Sequence, residues 1–457
     1  MGSIFTYRNI YEAYLDCARK KSNKNTHIEF FSNLEENLYN LFEDLKSRKY
    51  KIGKSMCFVV KDPCIREVFA GNFRDRIVHH LLINQIEFYF ERFFIYDSFS
   101  CRKNKGIHLG VKRLQNRIKS LERKSCQIPY YIKLDIDSFF MSVDKDVLYS
   151  ILEKYLQKIK KRYAKSELWI DEILYLCRVI IYNNPTISYE KRGDLSLFNK
   201  VPKGKSLFHI PENKGLPIGN LTSQFFANVY LNELDQFVKR KLEARYYYRY
   251  VDDFVILDKN KAKLGEILKT IDGFLQEMLK LKINNKKTKL QRCDRGIDFA
   301  GYIVRSKYLL VRNRTAKKAK NKIWQFMQKK DFKYDRLKEI NASLNSYFGC
   351  FKHAKAYRLK NQIINCLLLF LLCMGAYCLY AQEIIYTAVA DSQPLPIVKN
   401  LSEGIQKVFP EPKMRYIDFK HKEGKEILKR FEISEIPFIF FDKELKENDE
   451  KYFMLMV

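Results

Sequence analysis

The chain has no Cys-x-x-Cys pair, no internal repeat, and no apolar run as long as the roughly 20 residues a membrane-spanning helix needs. The first absence removes the usual spacing of a dithiol redox site, and the eleven cysteines follow no other regular pattern. A reduced, cytoplasmic setting is expected, with most cysteines serving as small apolar core residues. The N-terminal stretch MGSIFTYRNIYEAYLDCARK lacks an apolar centre, so it does not read as a secretory signal. Acidic charge is also scarce, with 53 Asp and Glu against 84 Lys and Arg, a formal net charge of +31. From Ala381 onward there are 12 basic and 14 acidic residues, so the first 380 residues carry about +33. A folded region this basic points to a polyanionic partner, nucleic acid first, with a generically basic soluble protein as the alternative. At 457 residues and 46% hydrophobic, the chain can build two or three domains with a substantial core.

Apolar spacing predicts helix over residues 8–48, through Ile10, Tyr14, Leu15, Phe30, Leu34, Leu38, Leu41, Phe42 and Leu45. CFVVKDPCIREVFA (57–70) reads as a hairpin turning at Asp62 and Pro63, and residues 73–94 as a helix. YYIKLDIDSFFMSV (130–143) is a strand that breaks at Ser138. A Gly/Pro loop at 215 leads into a helix from about Thr222 to Leu242, and a Tyr-rich hairpin and another helix, about 263–280, follow. Short strands come next, then basic helices over 315–365.

The hairpin contains YYRYVDDFVI (247–256), two adjacent carboxylates inside what otherwise reads as a buried strand. Ionised groups there are costly unless a cation compensates them. LDID (134–137) supplies a second acidic strand end, with Asp135 and Asp137 on one face if the strand runs straight. Carboxylates from two neighbouring strands are what Mg²⁺ needs to act on the oxygens of a phosphoryl transfer. A lone Asp-Asp pair is more often a solvated turn. Apolar flanks and a matching LDIDSFF some 115 residues upstream argue against that here.

Together these motifs resemble those of reverse transcriptases, in order, over roughly residues 50–360. The resemblance implies an α+β right-hand polymerase fold with fingers, palm and thumb, RNA-directed DNA polymerase activity, and two Mg²⁺ ions, for which Mn²⁺ could substitute. Asp135, Asp252 and Asp253 are then the expected catalytic and metal-binding residues. Phe140 matches the steric gate against a ribose 2′-OH, and Lys61 and Arg66 lie on the fingers hairpin, where cations can fold over the triphosphate. Lys287 would donate to the leaving pyrophosphate, and Gly301 and Tyr302 correspond to the primer grip. Each has a plainer reading: Phe140 as a core aromatic, the basic pair as ordinary surface, Gly301 as a turn residue.

The nucleotide loop reads Ile218-Gly219-Asn220-Leu221-Thr222-Ser223-Gln224, where many reverse transcriptases have Gln-Gly followed by Ser-Pro. This form, with Ile218 and Gln224, is similar to the enzymes of diversity-generating retroelements, as is LNSYFGCFKHAKAYRL (344–359). The implied partners are an RNA template, a DNA or RNA primer, dNTPs and a small basic accessory protein. The implied product is error-containing cDNA for mutagenic retrohoming. Ile218 cannot hydrogen-bond as Gln does, which would weaken rejection of a mispair, although it could equally pack beneath the sugar. The competing readings are a phage-defence reverse transcriptase and a catalytically silent nucleic-acid scaffold. In the thumb, Lys and Arg are interleaved with Trp324, Phe326, Tyr334, Tyr347, Phe348 and Tyr357, aromatics expected more often in the core than as stacking platforms.

The expected organisation is an N-terminal helical extension (1–50), fingers and palm (51–304), a helical thumb (305–365), an apolar signal-like segment (366–382) and an appendage (383–457). The apolar segment reads as a buried helix, a membrane contact or the scar of a gene fusion. The appendage is similar to the second half of a thioredoxin-like domain, with Pro437 as its cis-proline but without the redox motif; an unrelated α/β unit is the alternative.

Overall fold

The computed structural model describes residues 2–19, 25–61, 64–125, 127–329, 334–378, 385–390, 413–418, 438–442 and 453–456. The chain divides into two compact units, Met1–Leu310 and Val311–Val457.

The first unit opens with three helices, α1 (Tyr7–Ala18), α2 (Asn25–Phe31) and α3 (Leu34–Lys46). Thr6 caps α1 by accepting from the Asn9 amide, and Ile10, Ala13, Tyr14 and Cys17 form its buried stripe. Leu15, expected on that stripe, is 48% exposed, because it falls one residue off the 10–13–14–17 repeat. The fingers hairpin pairs β1 (Ser55–Val60) antiparallel with β2 (Arg66–Ala70), and Val60 faces Arg66 in register. Asp62 and Pro63, its predicted turn, lie outside the described residues. α4 (Phe73–Phe90) follows, capped by Asn72, and α5 (Ile107–Ser125) leads to the strand β3 (Tyr130–Asp135).

After β3 come a short α6 (Phe139–Ser142), then α7 (Lys145–Tyr163) and α8 (Glu167–Tyr182). α5, α7 and α8 were not anticipated, since the motif reading assigned those stretches no element. Next is β4 (Tyr189–Lys191), which adds to β1 in parallel. α9 (Leu221–Gln236) loosens into a π turn at Phe237–Lys241, short of the uniform helix expected to residue 242. It is followed by β5 (Tyr246–Tyr250), β6 (Asp253–Asp258), α10 (Lys261–Leu279) and β7 (Lys289–Arg292). The palm sheet has the order β5-β6-β3-β7 and is antiparallel throughout. Its apolar face joins α9, α10 and α4 in one core that includes Ile132, Leu134, Phe254, Ile256, Val229 and Ile271. With that face covered, residues at the end of β3 and at the β5–β6 turn are left at the rim. A small sheet of β8 (Ile297–Phe299), β9 (Tyr302–Val304) and β10 (Leu309–Val311) follows.

The second unit contains α11 (Asn313–Lys329), α12 (Tyr334–Phe351) and α13 (Tyr357–Cys378), packed around Ala319, Ile323, Phe351 and Ile363. Much of the predicted apolar segment therefore continues α13. Among the described residues no helix is long and apolar enough to cross a membrane. Four strands follow, β11 (Ile385–Ala390), β12 (Lys413–Asp418), β13 (Phe438–Asp442) and β14 (Phe453–Met456), in the order β12-β11-β13-β14. β11 and β12 are parallel and the other neighbours antiparallel. Pro437 lies outside the described residues.

Cys17, Cys57, Cys177 and Cys293 are buried, whereas Cys64, Cys101, Cys350 and Cys366 are exposed. The expectation that most cysteines are core residues thus fails for half of this set. These four sit at a fingertip, a loop and helix surfaces, where apolar packing has no purchase.

Candidate active site

β3 and β6 run antiparallel with Asp135 opposite Asp253, so their registers bring the two acidic motifs to one end of the palm sheet. Val251 turns the chain between β5 and β6 with a left-handed φ of 56°, which leaves Asp252 at the tip. β3 stops at Asp135, and Ser138 also takes a left-handed conformation, φ 45°. Asp137 lies just past the end of β3, in a turn, and is exposed.

The cations that compensate the carboxylates are local lysines. Lys133 Nζ donates to Asp253 Oδ2 at 3.1 Å and to the Asp298 carbonyl at 2.5 Å. Lys287 Nζ donates to Asp135 Oδ2 at 2.7 Å. Burial works against the Lys287 ammonium, but Asp135 and then Asp252 hold its pKa above the usual value. Asp252 has no ion pair among the described residues. Burial, then the neighbouring Asp135 and Asp253 carboxylates, push its pKa up to about 6, only partly offset by Lys287.

The expected set of three metal-binding carboxylates is not assembled: among the described residues no three His, Cys, Asp or Glu side chains gather as metal ligands. Asp253 pairs with Lys133 and Asp135 with Lys287, so of the three only Asp252 has no ion pair among the described residues. Closely set, half-buried carboxylates suit Mg²⁺, which commonly takes one or two carboxylates together with substrate phosphates.

The nucleotide loop is tied to both sides of this site. Leu216 N donates to the Phe140 carbonyl at 2.7 Å, which sets Phe140, half-buried at the core edge, beside the loop. Phe69 N donates to the Ile218 carbonyl at 2.8 Å, joining the loop to the fingers strand β2. Gly219 has φ 127°, and a Cβ there would lie 2.7 Å from Val68 Cγ1 and 2.8 Å from the Phe69 carbonyl oxygen, so only glycine fits. Gln224 is exposed on the first turn of α9.

On the fingers hairpin Lys61 is exposed, and Arg66 is half-buried with an Nε that has no hydrogen-bond partner. Cys64 is exposed at the hairpin tip. Gly301, φ 97°, has open space where a side chain would be. Tyr302 is buried, 4% exposed, its ring 5.9 Å from that of His108. In the second unit Trp324 and Tyr357 are exposed and Phe326 is buried.

Sequence reading missed the shell beneath the hairpin. Arg249 and Asp235 are both fully buried and paired, with Tyr247 and Asn228 around them. His79 and Thr222 lock α4 to α9 through a 2.7 Å bond between Nδ1 and Oγ1. The signal for the first was present as an arginine between tyrosines in an otherwise apolar strand. Its acidic partner, 14 residues earlier, could be found only in three dimensions.

A palm sheet with carboxylates at its rim, a fingers hairpin and a nucleotide loop locked to both defines a nucleotide polymerase of the right-hand fold. Residues 65–304, just over half the chain, match the family model of the reverse transcriptase (RNA-dependent DNA polymerase), and the chain belongs to that family of RNA-directed DNA polymerases, which use divalent metal ions. Among curated proteins it is similar to Protein YkfC of Escherichia coli (strain K12), 23% identical over 302 residues, covering 59% of this chain and 69% of that one. It is also similar to the putative COX1/OXI3 intron 2 protein of Saccharomyces cerevisiae, 22% identical over 269 residues, 52% of this chain but only 30% of the yeast protein. Similar solved structures include apo telomerase from Candida tropicalis truncated from its C-terminal domain, with TM-score 0.41 and 12% identity over 57% of this chain and 55% of that one. Telomerase from Candida albicans with a fragment of telomeric RNA gives 0.39 and 13%, over 86% and 68%.

Proposed function

We propose that this chain extends a DNA or RNA primer with dNTPs on an RNA template, with Asp135 and Asp252 holding Mg²⁺, and that it does so for a diversity-generating retroelement. The observation that carries the catalytic part is Asp252, a half-buried carboxylate beside Asp135 with no ion pair of its own among the described residues. A site that tolerates this imbalance is built for a cation that arrives with substrate. Mg²⁺, or Mn²⁺ in its place, supplies Lewis-acid stabilisation of the attacking and leaving oxygens when bound.

The residues of the chain then bind and position. Lys287, 58% exposed, can swing its ammonium from Asp135 toward the departing pyrophosphate. Arg66, half-buried on β2, and Lys61, exposed at the end of β1, would supply positive charge to the triphosphate. Phe140, tied to the nucleotide loop, blocks a 2′-hydroxyl. Gly301 lets the primer approach the backbone, while Tyr302 holds that turn from within the core. Asp253 supports the hairpin through Lys133. On α11, Arg314, Lys317 and Trp324 are exposed at helical spacing, a face suited to a nucleic-acid backbone.

The retroelement assignment rests on the nucleotide loop. The Ile218 carbonyl is engaged by Phe69 and its side chain has no polar atom, so the loop tests base-pair geometry less strictly there. Gln224 faces outward where it can meet template. A small basic accessory protein would help hold the RNA, and the cytoplasm is the proposed setting.

The test is primer extension on a defined RNA with dNTPs and Mg²⁺, followed by cDNA sequencing, with Asp252→Ala in parallel. Product from the wild type alone, with errors concentrated opposite adenines, is expected. Accurate or untemplated product would transfer the assignment to a defence enzyme. Absence of product even with cognate RNA and accessory protein would mark a silent scaffold.

A further inference from the structure

Directly below the Asp252 turn lies an ion pair with no water access. Arg249 and Asp235 side chains are both 0% exposed, and Arg249 is the bulkiest fully buried side chain among the described residues. The guanidinium grips Asp235 with two bonds, Nε to Oδ1 at 2.8 Å and Nη2 to Oδ2 at 2.6 Å. Tyr247 adds its hydroxyl to Oδ1 at 2.7 Å. A buried pair of this kind is often no more stabilising than apolar residues of equal volume, so stability alone does not account for it.

The rest of the guanidinium shows what it does. Nη1 donates to the Val251 carbonyl at 3.0 Å and to Asn228 Oδ1 at 3.2 Å. Val251 is β-branched yet sits at φ 56°, a conformation such residues avoid and one that persists only where surroundings enforce it. The backbone of Arg249 is itself pinned, its amide donating to the Asp97 carbonyl and its carbonyl accepting from Phe99 N. Asn228 is anchored in turn, its Nδ2 donating to the Ser100 carbonyl at 2.8 Å. The side chain thus runs from a fixed strand, through a fixed helix residue, to the one peptide that decides where Asp252 points.

We infer that Arg249, oriented by Asp235 and Asn228, is a positioning residue for the polymerase reaction: it holds the strained Val251 peptide and so aims the Asp252 carboxylate. This rests on the reading of Asp252 as a metal-binding residue. Arg249 touches neither substrate nor metal, and Lys in its place would keep the charge but lose the fork that reaches Val251 and Asp235 together.

The experiment uses the full chain and compares wild type, Arg249→Lys, Val251→Gly, the Arg249→Lys/Val251→Gly double variant, and Tyr230→Phe. The last removes a buried hydroxyl of the same helix α9 that bonds the Leu279 carbonyl and the Asp144 amide rather than the Arg249 cluster. Steady-state dNTP incorporation and thermal melts are measured for each, across a Mg²⁺ titration. Arg249→Lys is expected to lower kcat by roughly 20-fold with the dNTP KM within about twofold, and to raise the Mg²⁺ needed for half-maximal rate several-fold. Tyr230→Phe should lower the melting temperature without either change. Because glycine adopts positive φ without strain, Val251→Gly should restore kcat of Arg249→Lys by about fivefold, a rescue that a merely structural ion pair does not predict. If Arg249→Lys does not fold, Asn228→Ala carries the same comparison, with an expected loss of about threefold relieved by Val251→Gly.

A folded Arg249→Lys with wild-type kcat and Mg²⁺ dependence, or a double variant with no recovery, overturns the inference alone. A wild-type protein that incorporates no nucleotide overturns the polymerase reading, and this inference falls with it.

Discussion

Two acidic residues in the palm meet opposite fates. Asp235 is wholly buried and wholly satisfied, with two guanidinium bonds and a tyrosine hydroxyl. Asp252, at the β5–β6 turn, is half-buried and lies beside other carboxylates, and its pKa is pushed up to about 6. The same side-chain chemistry is satisfied in one place and left without an ion pair in the other, and local compensation makes the difference. A carboxylate held beside others without an ion pair of its own is a site where an external cation would be stabilising.

The sharpest way to break this comparison is to neutralise each carboxylate in turn. Asp252→Asn should cut nucleotide incorporation by about a thousandfold or more, while raising stability by about 1–2 kcal/mol, since an unfavourable charge is removed. Urea melts and primer extension on the same preparation give both numbers, and a large loss of stability would refute the contrast. Asp235→Ala should do the reverse to stability, costing about 3–5 kcal/mol because Arg249 is left buried and unpaired. Denaturant midpoints at constant m-value would show it.

His79 offers a third way of burying a titratable group, kept neutral rather than paired. Burial, then His80 and Arg76, lower its pKa from 6.5 to about 4. Its folded value lies below its unfolded one, so the unfolded chain binds the proton first. Stability from this group is intact above pH 6.5, falls as pH drops toward 4, and changes no further below that. The span is at most about 3 kcal/mol. Urea melts of wild type and His79→Gln between pH 7 and 4 isolate it, because the buried carboxylates Glu67 and Asp75 titrate in both proteins. Equal slopes would remove His79 from the account.

The smallest effect is a direct reading of the missing cation. Mg²⁺ at ten times its Kd should stabilise the folded wild type by about 1.4 kcal/mol, and Asp252→Asn should abolish most of that shift. A melt series with and without Mg²⁺ decides it, and an equal shift in both proteins would place the ion elsewhere.

The fold class was largely legible because its signals are local. The alternating pattern of 247–256, the stop at Ser138 and the Gly/Pro loop before Thr222 each belong to a few consecutive residues. Helices α7 and α8 went unread for lack of a chemical motif, and Leu15 was misplaced by a single helical step. The site was half legible. Asp135, Asp252 and Asp253 all announced themselves as carboxylates between apolar flanks, but their order did not show that Lys133 meets Asp253, Lys287 meets Asp135 and Asp252 is left without an ion pair among the described residues. Nothing in the order of residues says which of two adjacent carboxylates meets a lysine on a neighbouring strand.

By itself, then, the sequence determined the candidates: a basic body, acidic strand ends, an alkyl residue at 218 in the Gly/Pro loop, and an amphipathic pattern that must bury one face of a sheet. Only the tertiary structure decided which charges are compensated. Compensation depends on distances of about 3 Å between groups far apart in the chain, 120 residues for Lys133 and Asp253 and 152 for Lys287 and Asp135. Those distances exist only once the sheet register and the packing of α9 have brought the strands together.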